Sequence, residues 1–362
     1  MGATRRSNVD YNALLTTTAD KIHKAGVVQD AITSSNPTFK ALMEKGKIKK
    51  VDVGGDLIKV ALMYGHNGTI NSYSDYDQID ITPQDGVTSA FVPWSQYAGA
   101  VSISGIQKFK NMGAEKIADL LKTKMTQTTA GWSERLNKDL WECSAANFTA
   151  SHPYTGNSGK NIISVPLWIQ NYGAAAADDY DIGLIDQSAE TWWKNMYHTP
   201  PADSFVGLKM GMRNLYNDCS QGPFGAPDLI VADQVSYEIY EAGLDALVRY
   251  TSTNTASAGF ENVTFKGATM YWDGYVPDAY TTATPNGPLT GEGDLAEGSM
   301  YFINTKTMTL YVGKDHDWKP RGFQTPVDQD SSVSLYLAYC QLVCDNRRKN
   351  GVLHSIAPAI AS

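Results

Sequence analysis

Charge, histidine and cysteine are all scarce in this sequence: 19% of its 362 residues are Asp, Glu, Lys or Arg, six are histidine and four are cysteine. Cys143, Cys219, Cys340 and Cys344 contain no CxxC pair, which removes a zinc ribbon and a redox dithiol. Cys340 and Cys344 fall in a strand-like run and read as buried free thiols. No stretch approaches the roughly 18 consecutive apolar residues of a membrane span. No cationic start followed by an apolar run opens the chain, so neither a membrane segment nor a secretion signal is expected, and folding is assigned to the cytoplasm. A net charge of -8 gives no overall attraction to nucleic-acid phosphates, so contact with a genome is expected to be local and weak.

The usual patterns of chemistry are missing too. Neither GxSxG nor HExxH occurs. His316, in Asp315-His316-Asp317, is the most ligand-like histidine, but no Cys or His stands at metal-binding spacing from it, and it reads as a solvated loop residue. Gly156-Asn157-Ser158-Gly159-Lys160 resembles the end of a phosphate loop without its glycine spacing, and Asn161 replaces the metal-binding hydroxyl. Gly291 to Gly298 is not GxGxxG. Asp178-Asp179 lies in polar surroundings, whereas a general acid needs burial to raise its pKa. Arg347-Arg348-Lys349 reads as a solvated strand end, with an inter-subunit or DNA-facing patch as the alternative. No catalytic, cofactor-binding or metal-binding residue is assigned, and no enzymatic activity is expected.

What is present is core-forming material: 42% hydrophobic residues, with 31 Gly, 15 Pro and 20 Tyr, a balance that suits strands and ordered loops. The most regular stretch is Ala114 to Cys143, where Ile117, Leu121, Met125, Thr128, Trp132, Leu136, Leu140 and Cys143 recur at helical spacing behind a candidate cap at Asn111. A helix of that length would reach roughly 45 Å, more like a strut than an internal helix. Before it come two short helix candidates, Asn12 to Lys24 and Thr38 to Lys45. A strand-like pair follows, whose polar middle, Tyr64 to Asp85, predicts a long two-stranded excursion. Residues from about Val53 to Phe91 are expected to extend away from the body and to pack across a neighbour.

Residues 147–181 are rich in Gly, Ala, Asn and Ser and predict a loop-like insertion, with Trp192-Trp193 marking the return to core. Helices are predicted from Asp203 to Tyr216 and after Asp233, and strands at 228–232, 263–272, 299–304 and 308–312. A last strand alternates at Val333, Leu335, Leu337, Tyr339, Gln341 and Val343. The fold class is α+β.

In order and proportion these elements resemble the major capsid proteins of tailed bacteriophages with the HK97-type fold. The local matches are Gly105-Ile106 to Asn111-Met112-Gly113 leading into the long helix, Asp228-Leu229-Ile230-Val231-Ala232-Asp233 before a helix, Phe265-Lys266-Gly267-Ala268 before Trp272-Asp273, and the closing strand ending in Asn346 to Leu353. The resemblance implies an N-terminal arm (1–47), an extended β-hairpin loop (48–95), a peripheral domain with a spine helix at about 114–143 and an insertion at 147–181 (96–202), an axial α+β domain with returning strands (203–345) and a C-terminal segment (346–362). It implies a shell subunit that self-assembles into hexamers and pentamers around double-stranded DNA. Its expected partners are further copies of itself, a portal and possibly a separate scaffold or decoration protein, and its place is the virion, assembled in the host cytoplasm. The N-terminal region is too short to resemble a long helical scaffolding extension. Lys59 lies near the hairpin, but nothing marks a cross-linking partner, so no cross-linking residue is carried over. A shell protein of an encapsulin-like nanocompartment and a β-rich carbohydrate-active enzyme are the alternatives.

Overall fold

The computed structural model describes residues 37–51, 55–65, 67–110, 114–141, 160–170, 182–187, 189–222, 225–244, 263–276 and 298–356, without the side chains of 37, 108, 110, 114–120 and 315. The helix expected from Asn12 to Lys24, the cap at Asn111, Cys143, Gly156 to Gly159, Asp178-Asp179 and Gly291 to Glu297 lie outside the described residues.

Among the described residues, three sheets and one long helix organise the fold. The helices are α1 (Pro37–Glu44), α2 (Gly105–Lys110), α3 (Ala114–Trp141), α4 (Val165–Trp168), α5 (Phe205–Ser220) and α6 (Gln234–Leu244). The strands are β1 (Ile48–Val51), β2 (Leu57–Met63), β3 (Val87–Pro93), β4 (Ser95–Ser104), β5 (Met196–His198), β6 (Leu229–Ala232), β7 (Val263–Phe265), β8 (Ala268–Trp272), β9 (Gly298–Ile303), β10 (Met308–Pro320), β11 (Ser331–Cys344) and β12 (Gly351–Ile356). They assemble as a four-stranded sheet β1-β10-β11-β4, a six-stranded sheet β5-β12-β9-β6-β8-β7 and the hairpin β2-β3. The returning strands of residues 203–345 are thus divided: β10 and β11 join β1 and β4, while β6 to β9 build the other sheet.

Helix α3 is the predicted strut. On its described part Leu121, Met125, Trp132, Leu136 and Leu140 are buried, each such side chain contributing about 1.5–3 kcal/mol. The face is wider than its apolar stripe, because Thr129, Ser133, Asn137 and Asp139 are buried as well. It covers the side of the four-stranded sheet formed by the odd residues of β4 and the even residues of β11, which the register pairs as Val101 with Ser334, Gly99 with Tyr336 and Tyr97 with Ala338. The alternation from Val333 to Tyr339 lies on the opposite side of β11, and Leu335 is exposed. On the inner side of β11 stand the small residues Ser332, Ser334 and Ala338 and, between them, Tyr336, whose ring packs against the indole of Trp318 at 5.6 Å between centroids.

The six-stranded sheet separates two cores. Leu229, Val231, Tyr301, Ile303 and Val352 face the core shared with α3, where Trp141 packs against Tyr301. Ile230, Ala232, Met300, Phe302 and Leu353 face α5 and α6. These alternating one-residue steps are the period-2 pattern of a strand buried on both sides. Helix α5 starts one residue past its cap, Ser204, whose hydroxyl accepts from the Gly207 N–H at 3.1 Å. Asp233 caps α6 in the same way, accepting from the Ser236 N–H at 3.2 Å.

Two expectations fail here. Residues 160–170, within the predicted loop-like insertion, are core: Ile162, Ile163, Val165, Leu167, Trp168 and Ile169 are all at most 1% exposed. Their short apolar run was masked by the Gly- and Ala-rich sequence on either side. The hairpin strands also do not extend away from the body, since Ile58, Val60, Leu62, Ala90 and Val92 are buried in the main core and the Phe91 N–H donates to the Gly183 carbonyl at 3.1 Å. Only residues 64–86 project.

Candidate assembly surface

The sequence's chemical candidates are dispersed by the fold. His316 lies on β10, not in a loop, with its ring stacked on Tyr339 at 4.1 Å between centroids. The strand continues past Val312 through register shifts, and neighbouring Asp317 pairs with Lys50. Arg347 is buried at 1% exposure instead of solvated. Its Nε donates to the Trp168 carbonyl at 2.7 Å and its guanidinium lies over the Trp193 ring at 5.7 Å. Lys349 is buried too and Arg348 lines a cleft beside it, so the basic run is mostly an internal clasp. A buried guanidinium needs partners for its N–H groups, and the carbonyl of a helix C-terminus is one. Lys59 sits over the Phe91 ring at 5.8 Å. Lys160 is exposed, and among the described residues no group of three or more His, Cys, Asp or Glu could hold a metal ion.

Buried polar chemistry is concentrated where α3 meets the body. Asp139, fully buried, accepts from Arg135 Nε at 3.0 Å, from the Tyr97 hydroxyl at 2.9 Å and from Asn161 Nδ2 at 3.1 Å. Burial, and next the charge of Asp139, push the Tyr97 hydroxyl far above its ordinary pKa, so it stays a donor. The carboxylate thereby joins α3, β4 and the 160–170 segment. Nothing in this arrangement presents a nucleophile or base to an open cleft. The cleft beside Trp192 has Asp345 as its one lining carboxylate among the described residues, and the cleft beside Tyr97 has none. A glycosidase needs two carboxylates roughly 5–9.5 Å apart.

The conspicuous surface is the excursion between β2 and β3. Ile70, Tyr73, Tyr76, Ile79 and Ile81 are 63–100% exposed, a run of large apolar side chains with no cover from the chain's own described residues. The segment is shaped by local turns. Asn67 Oδ1 accepts from the Thr69 N–H at 3.0 Å, Asp77 from the Ser74 N–H at 2.9 Å and Asp80 from the Thr82 N–H at 3.0 Å. The Thr82 hydroxyl, then its N–H, hold the Asp80 carboxyl below the usual range. At the base, the Tyr64 N–H donates to Gly86 and the Tyr64 ring stacks on Trp192 at 5.5 Å. An ordered projection of this kind is anchored at its root and bare along its length.

The capsid of cyanophage A-1(L) superposes on 89% of this chain and 93% of its own with a TM-score of 0.56, at 11% sequence identity. The chain has the HK97-type capsid fold. The capsid of a native GTA particle overlaps 86% of this chain and 89% of its own at 11% identity (TM-score 0.49), and an encapsulin complex of Synechococcus elongatus 88% and 88% at 10% identity (TM-score 0.46). No family model and no curated protein matches the sequence. The likeness extends over most of the length of both chains. The excursion was legible in the sequence, while the internal clasp of Arg347 and the Asp139 cluster were not. Asp139 is signalled only as a charged residue inside an apolar helical period, and Arg347 by nothing local.

Proposed function

We propose that this chain is a major capsid protein, the structural subunit of an icosahedral shell that self-assembles into hexamers and pentamers enclosing double-stranded DNA. The observation that carries the reading is the superposition on the cyanophage capsid over 89% of this chain and 93% of that one. The bare excursion supports it, because a run of exposed Tyr and Ile is costly on a monomer and is covered when subunits pack together. Residues 96–202 and 203–345 then serve as the peripheral and axial domains, and residues 1–47 as the arm. A portal and a separate scaffold or decoration protein complete the particle in the host cytoplasm, and contact with the genome is weak and non-specific.

The subunit performs no turnover of its own. Size-exclusion chromatography with light scattering on the purified chain tests this reading: megadalton or ring-sized species are expected, whereas a compact 39.5 kDa particle at all concentrations contradicts it. Shells filled with protein cargo and free of DNA in the native source would favour a nanocompartment.

A further inference from the structure

The excursion is not only apolar but uniformly acidic. Residues 64–86 carry Asp75, Asp77, Asp80 and Asp85, all exposed, and no lysine or arginine. Among the described residues none of the four is in an ion pair. On a chain of net charge -8 the opposite charge is collected elsewhere, around the edge strand β1. Lys47 and Lys49 alternate onto one face of that strand, and both lower the pKa of Asp345, which burial raises. Lys47 Nζ donates to the Lys306 carbonyl at 3.0 Å, and Lys49 lies over the Tyr311 ring at 5.8 Å. Lys45, 57% exposed at its side chain, is 3.6 Å from Asp228. The ammonium groups of Lys45, Lys47 and Lys49 thus gather around this edge, next to exposed Lys306, with Asp228 and Asp345 among the carboxylates beside them.

We propose that this lysine face of β1 is the seat of the acidic excursion of a second copy of the chain. The proposal rests on the shell-subunit reading and names the surface that covers the excursion. Its chemistry fits both halves of the excursion. Lysine stems are apolar and lie along a surface with their charges outermost, so Tyr73, Tyr76 and Ile79 pack on the stems while the aspartates meet the ammonium groups. β1 is the edge of its sheet among the described residues, so its outer side is open to a neighbour. Screening over about 8 Å at physiological salt confines the attraction to direct contact and gives it a salt dependence. Duplex DNA is the competing polyanion for the same lysines, but the acidic segment is part of this chain and needs a cover.

The test begins with the unaltered protein. Zero-length carbodiimide coupling joins a carboxylate to an amine only where they touch. It is expected to link Asp75, Asp77, Asp80 or Asp85 to Lys45, Lys47, Lys49 or Lys306 in assembled shells and not in dissociated subunits. In parallel, the K45E/K47E/K49E variant is expected to lose closed shells by about tenfold or more, and D75K/D80K/D85K on the same chain to restore them, since like charges set against each other suppress a contact that swapping both sides recovers. Circular dichroism checks that each variant folds, and the coupling result stands if one does not. Shells without these cross-links, or a reversed variant that assembles normally and loses only duplex-DNA binding, would overturn the inference while leaving the shell reading intact. A wild-type chain that forms no shells removes the reading beneath it.

Discussion

Trp318 lies flat against Trp132, their ring centroids 4.4 Å apart and their planes within 9°. Trp318 is in the left-handed backbone region, φ 47°, where β10 shifts register against β11, and its indole passes over Gly99, whose position leaves no room for a Cβ. Tyr97 meets Trp132 edge-on at 4.9 Å. One irregular turn of strand, one glycine and one helical tryptophan therefore lock α3 onto the four-stranded sheet.

Trp132→Ala should cost about 3–5 kcal/mol, the range for deleting a buried tryptophan. Chemical denaturation of the subunit measures it. The double variant with Trp318→Ala should fall short of the sum of the two single losses, because they share one contact. Unchanged stability would mean that the stack does not hold the helix.

Beside it, Gly131 is exposed in mid-helix, and a Cβ added there would meet nothing within 4 Å. Gly131→Ala should therefore stabilise the subunit by about 1 kcal/mol through helix propensity and the narrower unfolded ensemble. A lower melting temperature would show that the helix needs its glycine.

Asp273 sits where α3 meets the six-stranded sheet, accepting from Asn137 Nδ2 at 3.2 Å and from the Tyr275 N–H at 3.1 Å. Burial raises its pKa above 3.8. The folded chain thus holds this proton to higher pH than the unfolded chain, so stability falls as pH rises from the unfolded value through the folded one. Asp273→Asn should flatten that slope and be at least as stable at pH 7, since the amide can also donate to Asn137 Oδ1, buried and without a partner among the described residues. Melts followed from below the unfolded value up to pH 7 check it, and an undiminished slope in the variant would contradict the assignment.

Cys219, Cys340 and Cys344 are buried thiols whose pKa burial pushes up to about 12. Since the thiolate is the reactive form, none of the three should react with a thiol reagent at pH 8 until denaturant is added. Rapid labelling of any of them in the folded chain would show that the core opens.

The fold was readable where side chains repeat with one period. The α3 stripe, the excursion, the cap at Asp233 and the order of elements all follow from spacing and local chemistry. Residues 160–170 were hidden because six buried apolar residues stand inside polar, small-residue sequence. The inner face of β11 carries no apolar signature, because Ser332, Ser334 and Ala338 stand there beside Tyr336 while Leu335 is exposed. The burial of Arg347 depends on a carbonyl 179 positions earlier in the chain, which no local pattern carries.

The central claim, that this chain builds a closed shell through its excursion, is tested most directly by electron microscopy of two preparations: the full chain, and a chain in which Gly65 to Asp85 is replaced by an Asn-Gly turn. Because β2 and β3 are held by the main core, the shortened subunit should keep its circular dichroism and melting behaviour. The account predicts closed icosahedral particles from the full chain and folded subunits or open fragments from the shortened one. Normal shells from the shortened chain, or no shells from either, would contradict it.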